Sequence, residues 1–339
     1  MMTKLAQAPF FSTLRRMPAM ICVLAAALVS SAHAAAPPAW KPEKPIELIA
    51  INAPGGGSDR ILRIMAKVLQ EGRLTETPIV VVNKPGGGGS IAYAYLNQSQ
   101  SSGHQVVMAN KSLLTNHLVG QGPSYTEIIP LANLFNEYIA VTVKPDAPYR
   151  NGRDLIERLK KDSAALSFGV AGSLGNPSHQ GIFMPLKEAG VDARKVRTVI
   201  FQSGAAASTA LLGGHIDFLP ITAALAASML RSGQLRLVAV TSPNRLPGVL
   251  AEVPTWREQG YDTEISSWRS IVGPKSMTPA QIAYWEKVLQ RMSESDEWKK
   301  ELELNFWTSD FIGSTEMRKR MDRDNVQTRA FLLDLGLGK

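Results

Sequence analysis

The hydrophobic pattern of the chain alternates between short apolar runs and segments with helical spacing. The apolar runs, which predict buried strands, lie at 46–51, 79–82, 105–108, 138–143, 166–170, 196–201, 216–219 and 235–240. The segments with helical spacing lie at 58–69, 90–100, 151–160, 205–212 and 223–230. Strands that alternate with helices favour an α/β fold with parallel sheets and binding sites at the carboxyl ends of the strands. The last part differs, because 279–292, 294–304 and 315–335 predict helices with few strands between them.

Three turns rich in glycine or serine follow predicted strands, at 53–59, 85–90 and 171–178. The first leads into a helix, with Ser58 predicted as its N-cap and Asp59 in its first turn. Glycines let backbone N–H groups turn toward one point, and a helix N-terminus adds about half a positive charge there. This arrangement predicts a small anion pocket. The alternative is a tight strand-to-helix turn that binds nothing.

The N-terminal segment predicts export. Basic residues precede an apolar run at 17–29, and Ala32-His33-Ala34 provides a small-x-small cleavage signal. We therefore expect a signal peptide over 1–34, cleaved after Ala34 or Ala36, and a periplasmic protein that does not insert in the membrane. The single cysteine lies inside the apolar run, so the mature chain is expected to need no disulfide and no thiolate chemistry.

Charge and length narrow the function classes further. The formal net charge is +8, part of it in the signal segment, and the length left after cleavage favours two domains over one. The tightest basic run, 318–320, lies on a predicted helix beside Asp322 and Asp324. This indicates a solvated helix face, and we expect no nucleic-acid partner. The mild positive balance suits a small anionic ligand.

Enzymatic readings find weaker support. The stretch 171–175, with Ser173 at its centre, is a weak echo of the nucleophile elbow of serine hydrolases. That mechanism needs an acid and then a histidine downstream, but His179 follows too closely, and Asp192 before His215 proves little. The histidines lack metal-ligand spacing, and the turn at 54–59 matches neither a P-loop nor a dinucleotide motif. We expect no enzyme, no cofactor and no metal, with a secreted serine hydrolase as the alternative.

Five stretches of the chain are informative when taken together. They are Ala-Pro-Gly-Gly-Gly-Ser-Asp at 53–59, Val-Asn-Lys-Pro-Gly-Gly-Gly-Gly at 82–89, the segment 168–179, Leu-Leu-Gly-Gly-His-Ile-Asp at 211–217, and 235–242 followed by Val-Pro-Thr at 253–255. In order and spacing they resemble the Bug-type (TctC-like) solute-binding proteins of tripartite tricarboxylate transporters. The resemblance covers essentially the whole mature chain. It is therefore more specific than any single motif.

The resemblance implies a type II periplasmic-binding-protein fold, with two α/β lobes joined by a two-segment hinge and a ligand cleft between them. Lobe 1 is expected at 37–137 and 263–339, and lobe 2 at 138–262. Family members typically hold a small organic carboxylate in the cleft, largely through backbone N–H groups and waters. The implied function is capture of such a ligand by hinge closure, as a monomer. The partners would be membrane transporter subunits or a sensor that reads the closed form.

The resemblance and the turns together predict a site in which the loops at 53–59 and 169–178 clamp opposite ends of the ligand. The predicted ligand-binding residues are Ala53, Gly55, Gly56, Gly57, Ser58, Asp59, Lys111, Ser112, Ala171, Gly172, Ser173, Ser178 and Phe201. Several of them have structural alternatives. Ser58 can cap the first helix, and Asp59 can complement its dipole. Ser173 and Ser178, in the loop at 171–178, can stabilise turns and cap a helix. His179 is expected to be structural.

Departures from the family pattern limit what can be carried over. Phe201 stands where the family often has a tyrosine, Arg269 stands in place of a phenylalanine, and Lys111 replaces a small polar residue. Lys111 is either a ligand-specific cation or a solvent-exposed side chain, and Arg269 is expected to point to solvent. The ligand itself stays open among dicarboxylates, tricarboxylates, acidic amino acids and aromatic acids.

Overall fold

The computed structural model describes residues 40–98 and 103–337, and the elements below lie in the compact unit Lys41–Lys339. The predicted signal peptide, 1–34, lies outside the described residues. The strands are β1 (Ile46–Ala50), β2 (Ile79–Asn83), β3 (Gln105–Asn110), β4 (Ile128–Val143), β5 (Ser167–Ala171), β6 (Arg197–Phe201), β7 (Phe218–Thr222), β8 (Arg236–Val240), β9 (Ser266–Pro274) and β10 (Thr308–Gly313). The helices are α1 (Gly57–Glu71), α2 (Ser90–Gln98), α3 (Ser112–Leu118), α4 (Gly152–Lys161), α5 (Pro177–Glu188), α6 (Gly204–Leu212), α7 (Ala223–Arg231), α8 (Pro279–Glu294), α9 (Asp296–Leu304) and α10 (Ser314–Asp334).

One long strand organises the sheet. The strands follow the order β2-β1-β3-β9-β4-β7-β5-β6, and β8 and β10 also pair with β4. The first part of β4 pairs with β9 and β10, whereas its last residues pair with β7 and β8. We call β1, β2, β3, β9, β10 and the start of β4 the first half-sheet, and β5, β6, β7, β8 and the end of β4 the second half-sheet. The alternating α/β pattern predicted this fold class correctly, and the parallel pairs β1–β2, β1–β3, β5–β6 and β5–β7 bear out its parallel strands.

Apolar faces of the helices cover both sides of each half-sheet. On the first half-sheet, α1, α8 and α9 bury one face with side chains such as Leu62, Trp285 and Trp298. The other face is covered by α2, α3 and α10. On the second half-sheet, α4 and α5 form one cluster, and α6 and α7 form the other. Each half therefore has its own hydrophobic core, which is the condition for two lobes that move as units.

Two strands and the start of a third were not predicted. The segment 128–137 and strand β9 carry polar residues that interrupt the apolar pattern, among them Asn133, Asn136 and Arg269. The two asparagine amides donate to Asp310, which lies on the equally unpredicted strand β10. Polar side chains can be buried in a strand when such partners satisfy them. Those partners lie far away in sequence.

Helix α10 contacts both halves. Met317 and Met321 belong to the core on the first half-sheet, whereas Phe331 belongs to a core of the second half-sheet. The basic run at its start was expected to be a solvated face, and this was wrong for two of its three members. Arg318 donates to the carbonyls of Tyr125 and Ile128, and Arg320 pairs with Asp310. No helix in the described part of the chain is long and apolar enough to span a membrane.

The chain passes between the halves within β4, near Ile139, and again just before β9, near Ile265. We call these the two crossing segments, and both are hydrogen-bonded to Thr241. Its hydroxyl accepts from the Ile139 N–H at 2.9 Å and donates to the Ile265 carbonyl at 2.6 Å. Its own N–H donates to the Ile139 carbonyl, and its carbonyl accepts from the Ile265 N–H. Thr241 is fully buried, so no water can replace these partners. One side chain therefore holds both crossing segments in register.

We expect Thr241→Val to lower the free energy of unfolding by about 2–4 kcal/mol, because it leaves one buried N–H and one buried carbonyl without a hydroxyl partner. Urea unfolding followed by circular dichroism measures this. Thr209→Val, at an exposed position on α6, is the control and should change the free energy by less than about 0.5 kcal/mol. Equal effects of the two substitutions would show that the hydroxyl of Thr241 does not brace the crossing segments.

Candidate functional site

The loop at 53–59 is built around Asn52. The Asn52 side-chain carbonyl accepts from the Ser58 N–H at 3.0 Å and from the Ser58 hydroxyl at 2.8 Å. The Ser58 hydroxyl in turn accepts from the Asn52 N–H at 3.1 Å. The helix begins at Gly57 with Gly56 at the N-cap position, so the prediction of Ser58 as N-cap was wrong. The Asn52 side chain accepts from the Ser58 N–H, which an N-cap side chain would otherwise accept from.

Asp59 fixes the same loop from the inside. Its carboxylate accepts from the Arg63 guanidinium, from the Gly55 N–H at 2.9 Å and from the Asn83 amide at 2.9 Å. The hydrogen bonds from Arg63 are the main reason that the pKa of Asp59 is lowered, and the other two donors act in the same direction against desolvation. Asp59 is nearly fully buried, with all these donors around one carboxylate. The arrangement supports the structural reading of Asp59 over a direct ligand contact.

The glycines of this loop have different roles. Gly55 has a φ of +79°, which favours glycine, and its N–H is taken by Asp59. The Gly56 N–H donates to the Ala53 carbonyl, and a Cβ at Gly56 would lie only 2.6 Å from the Cβ of Asn52. The exposed Gly57 differs, because its N–H has no hydrogen-bond partner among the described residues and a Cβ there would be 4.0 Å from the nearest atom. The N–H of Gly57 is therefore an exposed main-chain donor that an anion can reach.

The loop at 171–178 follows β5 and is also held by its own polar groups. The Gly172 N–H donates to the Phe201 carbonyl at 2.8 Å, and the Asn176 amide donates to the Ala171 carbonyl at 2.7 Å. The Asn176 side chain caps α5 by accepting from the His179 N–H, while Ser178 lies half-buried in the first turn. At the tip, the N–H groups of Ser173 and Leu174 have no partner in the described ranges. This loop therefore also presents free main-chain donors.

His179 supports that loop as a buried, neutral imidazole. Its Nδ1 accepts from the Gly175 N–H at 3.0 Å, and its ring packs among Phe168, Phe183 and Phe331. Burial lowers the pKa of His179 to about 4, because the charged form cannot be solvated there. The expected structural role of His179 agrees with this geometry.

Asn116 connects the two halves at the site. Its amide nitrogen donates to the carbonyls of Gly87 and Gly88 in the second glycine turn, at 2.9 and 3.1 Å. Its side-chain oxygen accepts from the Ser173 hydroxyl at 3.5 Å, which is a long hydrogen bond. The loops at 53–59 and 171–178 share no hydrogen bond among the described residues. Asn116 instead joins the second glycine turn, at 85–90, to Ser173 of the loop at 171–178.

Lys111 and Ser112 lie where β3 passes into α3. The half-buried Ser112 donates its N–H to the Asn110 side chain at 2.9 Å. Lys111 is 9% exposed, and its ammonium lies 3.6 Å from the Asp324 carboxylate on α10. Of the two roles left open for Lys111, the solvent-exposed one is excluded. Contact with a ligand stays a prediction.

Arg269 was expected to point to solvent, and this was wrong. Its guanidinium pairs with Glu137 on the neighbouring strand β4, and both side chains are largely buried. The other oxygen of Glu137 accepts from the Trp307 indole at 3.0 Å. Arg269 is retained in the interior because a buried carboxylate stands beside it. The pair is part of the framework of the first half-sheet.

The site carries no assembled catalytic or metal group within the described residues. The Ser173 hydroxyl has Asn116 as its partner rather than a histidine, and His179 already uses Nδ1 for the loop. In the described ranges no group of three or more His, Cys, Asp or Glu side chains could hold a metal ion.

The sequence pattern does not predict the roles of three residues near the site: Asn116, Glu137 and Asp324. Asn116 is only 2% exposed, on a short helix that follows a strand end, and a buried polar residue there is the one signal that could have revealed it. The other two act through partners far away in the chain. The sequence around Glu137 and Asp324 does not indicate that their partners are Arg269 and Lys111.

The buried imidazole makes a pH prediction. In the unfolded chain His179 is protonated below its ordinary pKa of 6.5, whereas in the folded protein its pKa is lowered to about 4. The stabilisation is therefore fully present above pH 6.5 and is lost as the pH falls toward 4, by up to about 3 kcal/mol. Urea titrations between pH 7.5 and 4 measure this slope.

Two variants identify the source of the slope. His179→Asn keeps an acceptor for the Gly175 N–H without the titrating ring and should flatten the dependence. His215→Gln, at an exposed histidine, should retain the wild-type dependence. A slope unchanged by His179→Asn would contradict the assignment.

Comparisons with known proteins agree with this geometry. The family model described as the tripartite tricarboxylate transporter family receptor (TctC) matches residues 61–332. The protein BugT of Bordetella pertussis is 25% identical over 262 residues, which cover 75% of this chain and 78% of that protein. A TctC solute-binding protein from Polaromonas, solved without ligand, is 26% identical with a TM-score of 0.66, and the match covers 87% of this chain and 98% of that one.

Two further solved structures carry ligands. Rpa4515 of R. palustris with adipate is 20% identical with a TM-score of 0.77, covering 88% of this chain and 99% of that one. MatC of Rhodopseudomonas palustris with bound malate is 18% identical with a TM-score of 0.71, covering 85% and 98%. At these identities the likeness shows the fold. The two-lobed periplasmic-binding fold expected from the sequence is thereby confirmed.

Proposed function

We propose, from the premise that the chain belongs to the tripartite tricarboxylate transporter receptor (TctC) family, that it is an extracytoplasmic solute-binding protein. It captures a small organic carboxylate by hinge closure, as a monomer in the periplasm, and delivers it to the membrane subunits of a transporter. Its lobes are 37–137 with 263–339, and 138–262. It acts without covalent chemistry, cofactor or metal.

The observation that carries this proposal is the presence of unpartnered main-chain donors on both loops. Gly57 supplies one N–H at the N-terminus of α1, and Ser173 and Leu174 supply two at the tip of the other loop. The side chains that hold each loop, Asn52 and Asp59 on one side and Asn176 and His179 on the other, already have their own partners. These N–H groups therefore pay no reorganisation cost when they meet a carboxylate. The helix dipole of α1 favours the same negative charge.

Hinge closure has a structural basis in the two crossing segments. Thr241 holds both of them, while each half keeps its own core. Asn116 offers a polar contact from α3 to the opposite loop, 3.5 Å from the Ser173 hydroxyl. A ligand bridging both loops would favour that closed form by its differential affinity.

Ligand chemistry follows from the same donors. Backbone N–H groups select for a compact anion and are indifferent to the rest of the molecule. The adipate and malate in the two ligand-bearing neighbours are small dicarboxylates, which fits a carboxylate for this chain. The predicted contacts at Ala53, Ser58, Ser112, Ser178 and Phe201 belong to this proposal as residues that shape the cleft.

A sensor function is a variant of the same binding chemistry, in which a receptor reads the closed form. The hydrolase alternative is less well supported, because the Ser173 hydroxyl is directed to Asn116. Thermal-shift measurements on the purified mature chain separate ligand binding from hydrolysis. A bound acid raises the melting temperature with concentration. Turnover of an ester without any shift by acids would favour the hydrolase.

We expect Gly57→Pro to weaken binding of the acid found in that screen by about 10-fold or more, since it removes a single N–H that faces charge. Proline is well suited to the first position of a helix, and the extended backbone of Gly56 is compatible with a following proline. Folding should therefore survive. Isothermal titration calorimetry measures the affinity.

Gly57→Ala is the matched control, because it keeps the N–H and adds a Cβ where there is room. It should bind within about threefold of the wild type. If both variants bind as tightly as the wild type, the first loop does not grip the ligand. If Gly57→Ala fails as completely as Gly57→Pro, the effect is steric and the N–H is not the donor.

A further inference from the structure

The ion pair of Lys111 and Asp324 differs from the other pairs near the site. Its nitrogen and oxygen are 3.6 Å apart, beyond hydrogen-bond distance. By contrast, Asp59 is hydrogen-bonded to Arg63, and Glu137 to Arg269 and Trp307. A lysine ammonium has three donors, and no hydrogen bond from that of Lys111 occurs within the described residues. Asp324 balances its charge but leaves its donors unused.

Lys111, at the start of α3, and Asp324, on α10, lie on helix faces that contact the loop at 171–178. Thr115 is one turn beyond Lys111 and contacts the Gly175 carbonyl at 3.4 Å. Leu332 is eight residues beyond Asp324, a little over two turns, and a Cβ at Gly175 would lie 2.5 Å from it. Residues spaced in this way share a helix face. The ion pair therefore lies in the seam between α3 and α10, which packs against the loop at 171–178.

A second observation on α10 points into the same seam. Thr328 lies one turn from Asp324 and one turn from Leu332, on the face that they share. It is 2% exposed, and its hydroxyl has no hydrogen-bond partner among the described residues. A buried hydroxyl without a partner costs free energy. A polar ligand group in the seam would remove that cost.

The two members of the pair differ in how firmly they are held. Asp324 accepts from the indole N–H of Trp268 at 2.9 Å, and Trp268 is buried in the core of the first half-sheet. Lys111 has a long flexible stem and no comparable anchor. Asp324 is thus the fixed member, and the ammonium is the member that can change partner.

We infer that Lys111 is the specificity-determining residue for a second acidic group on the ligand, and that Asp324 is the fixed counter-ion that balances the charge of Lys111 until the ligand arrives. This deepens the proposed function and rests on it. A ligand with one carboxylate uses the loop N–H groups and leaves the pair intact. A ligand with two carboxylates places the second on Lys111, with the Thr328 hydroxyl as a further donor. Asp324 then opposes that carboxylate and limits its affinity.

The test uses three variants of the mature chain and one set of acids. The variants are Lys111→Met, Asp324→Asn and the doubly substituted chain, which is as neutral at this position as the wild type. Asparagine keeps the oxygen that accepts from Trp268. The acids are succinate, glutarate and adipate, each with its monomethyl ester, measured by isothermal titration calorimetry. The readout is the ratio of the ester's Kd to the diacid's Kd.

We expect Asp324→Asn to raise the affinity for the preferred diacid at least threefold and Lys111→Met to lower it at least tenfold. The doubly substituted chain should bind that diacid at least tenfold less tightly than Asp324→Asn does. The esters should change much less, so that the ratio collapses wherever Lys111 is absent. A ratio equal in all four proteins would overturn the inference, as would a loss of diacid affinity in Asp324→Asn.

These outcomes are distinguishable from failure of the proposed function. If the wild type binds neither diacids nor esters, the carboxylate-binding function itself is wrong. If it binds both alike and the variants change nothing, the function stands and Lys111 has only a structural role. Urea unfolding of each variant identifies a loss of affinity that comes from misfolding. If the variants that lack Lys111 do not fold, the comparison of Asp324→Asn with the wild type decides the question.

Discussion

Three largely buried carboxylates near the carboxyl ends of the first half-sheet are each paired with a cation, and the rest of the site depends on this constraint. Asp59 pairs with Arg63, Glu137 with Arg269, and Asp324 with Lys111. Burying an unpaired charge is costly, so a buried carboxylate in this framework needs a cation beside it. The groups proposed to meet a ligand are therefore main-chain N–H donors of the two loops, together with the loosely paired ammonium of Lys111.

The same constraint explains why the polar side chains of both loops already have partners within the protein. Asn52 and Asp59 hold one loop, and Asn176 and His179 hold the other. Their side chains fill the positions that would otherwise require water or ligand. Between the halves, Thr241 bonds to Ile139 on β4 and to Ile265 just before β9, and α10 contacts cores of both halves. A preorganised site on two bodies is what hinge closure requires.

Much of this could be predicted from sequence, and the rest could not for a definite reason. Strand, glycine turn and helix follow one another locally at 46–69 and 167–188, so the two loops were found by pattern alone. Strand β9 was missed because its polar residues are buried only through partners on β4, more than a hundred residues earlier. The sequence predicts Ser58 as the cap because the role of Asn52 depends on the three-dimensional course of the turn. Asn116 and Asp324 acquire meaning only through contacts with distant segments.

The central claim is that main-chain donors from two loops grip an anionic ligand. A crystal structure of the mature chain with a bound carboxylic acid tests it most directly. The account predicts carboxylate oxygens about 3 Å from the nitrogen of Gly57 on one side and from those of Ser173 or Leu174 on the other. A carboxylate held by side chains alone, or a ligand remote from both loops, would contradict it.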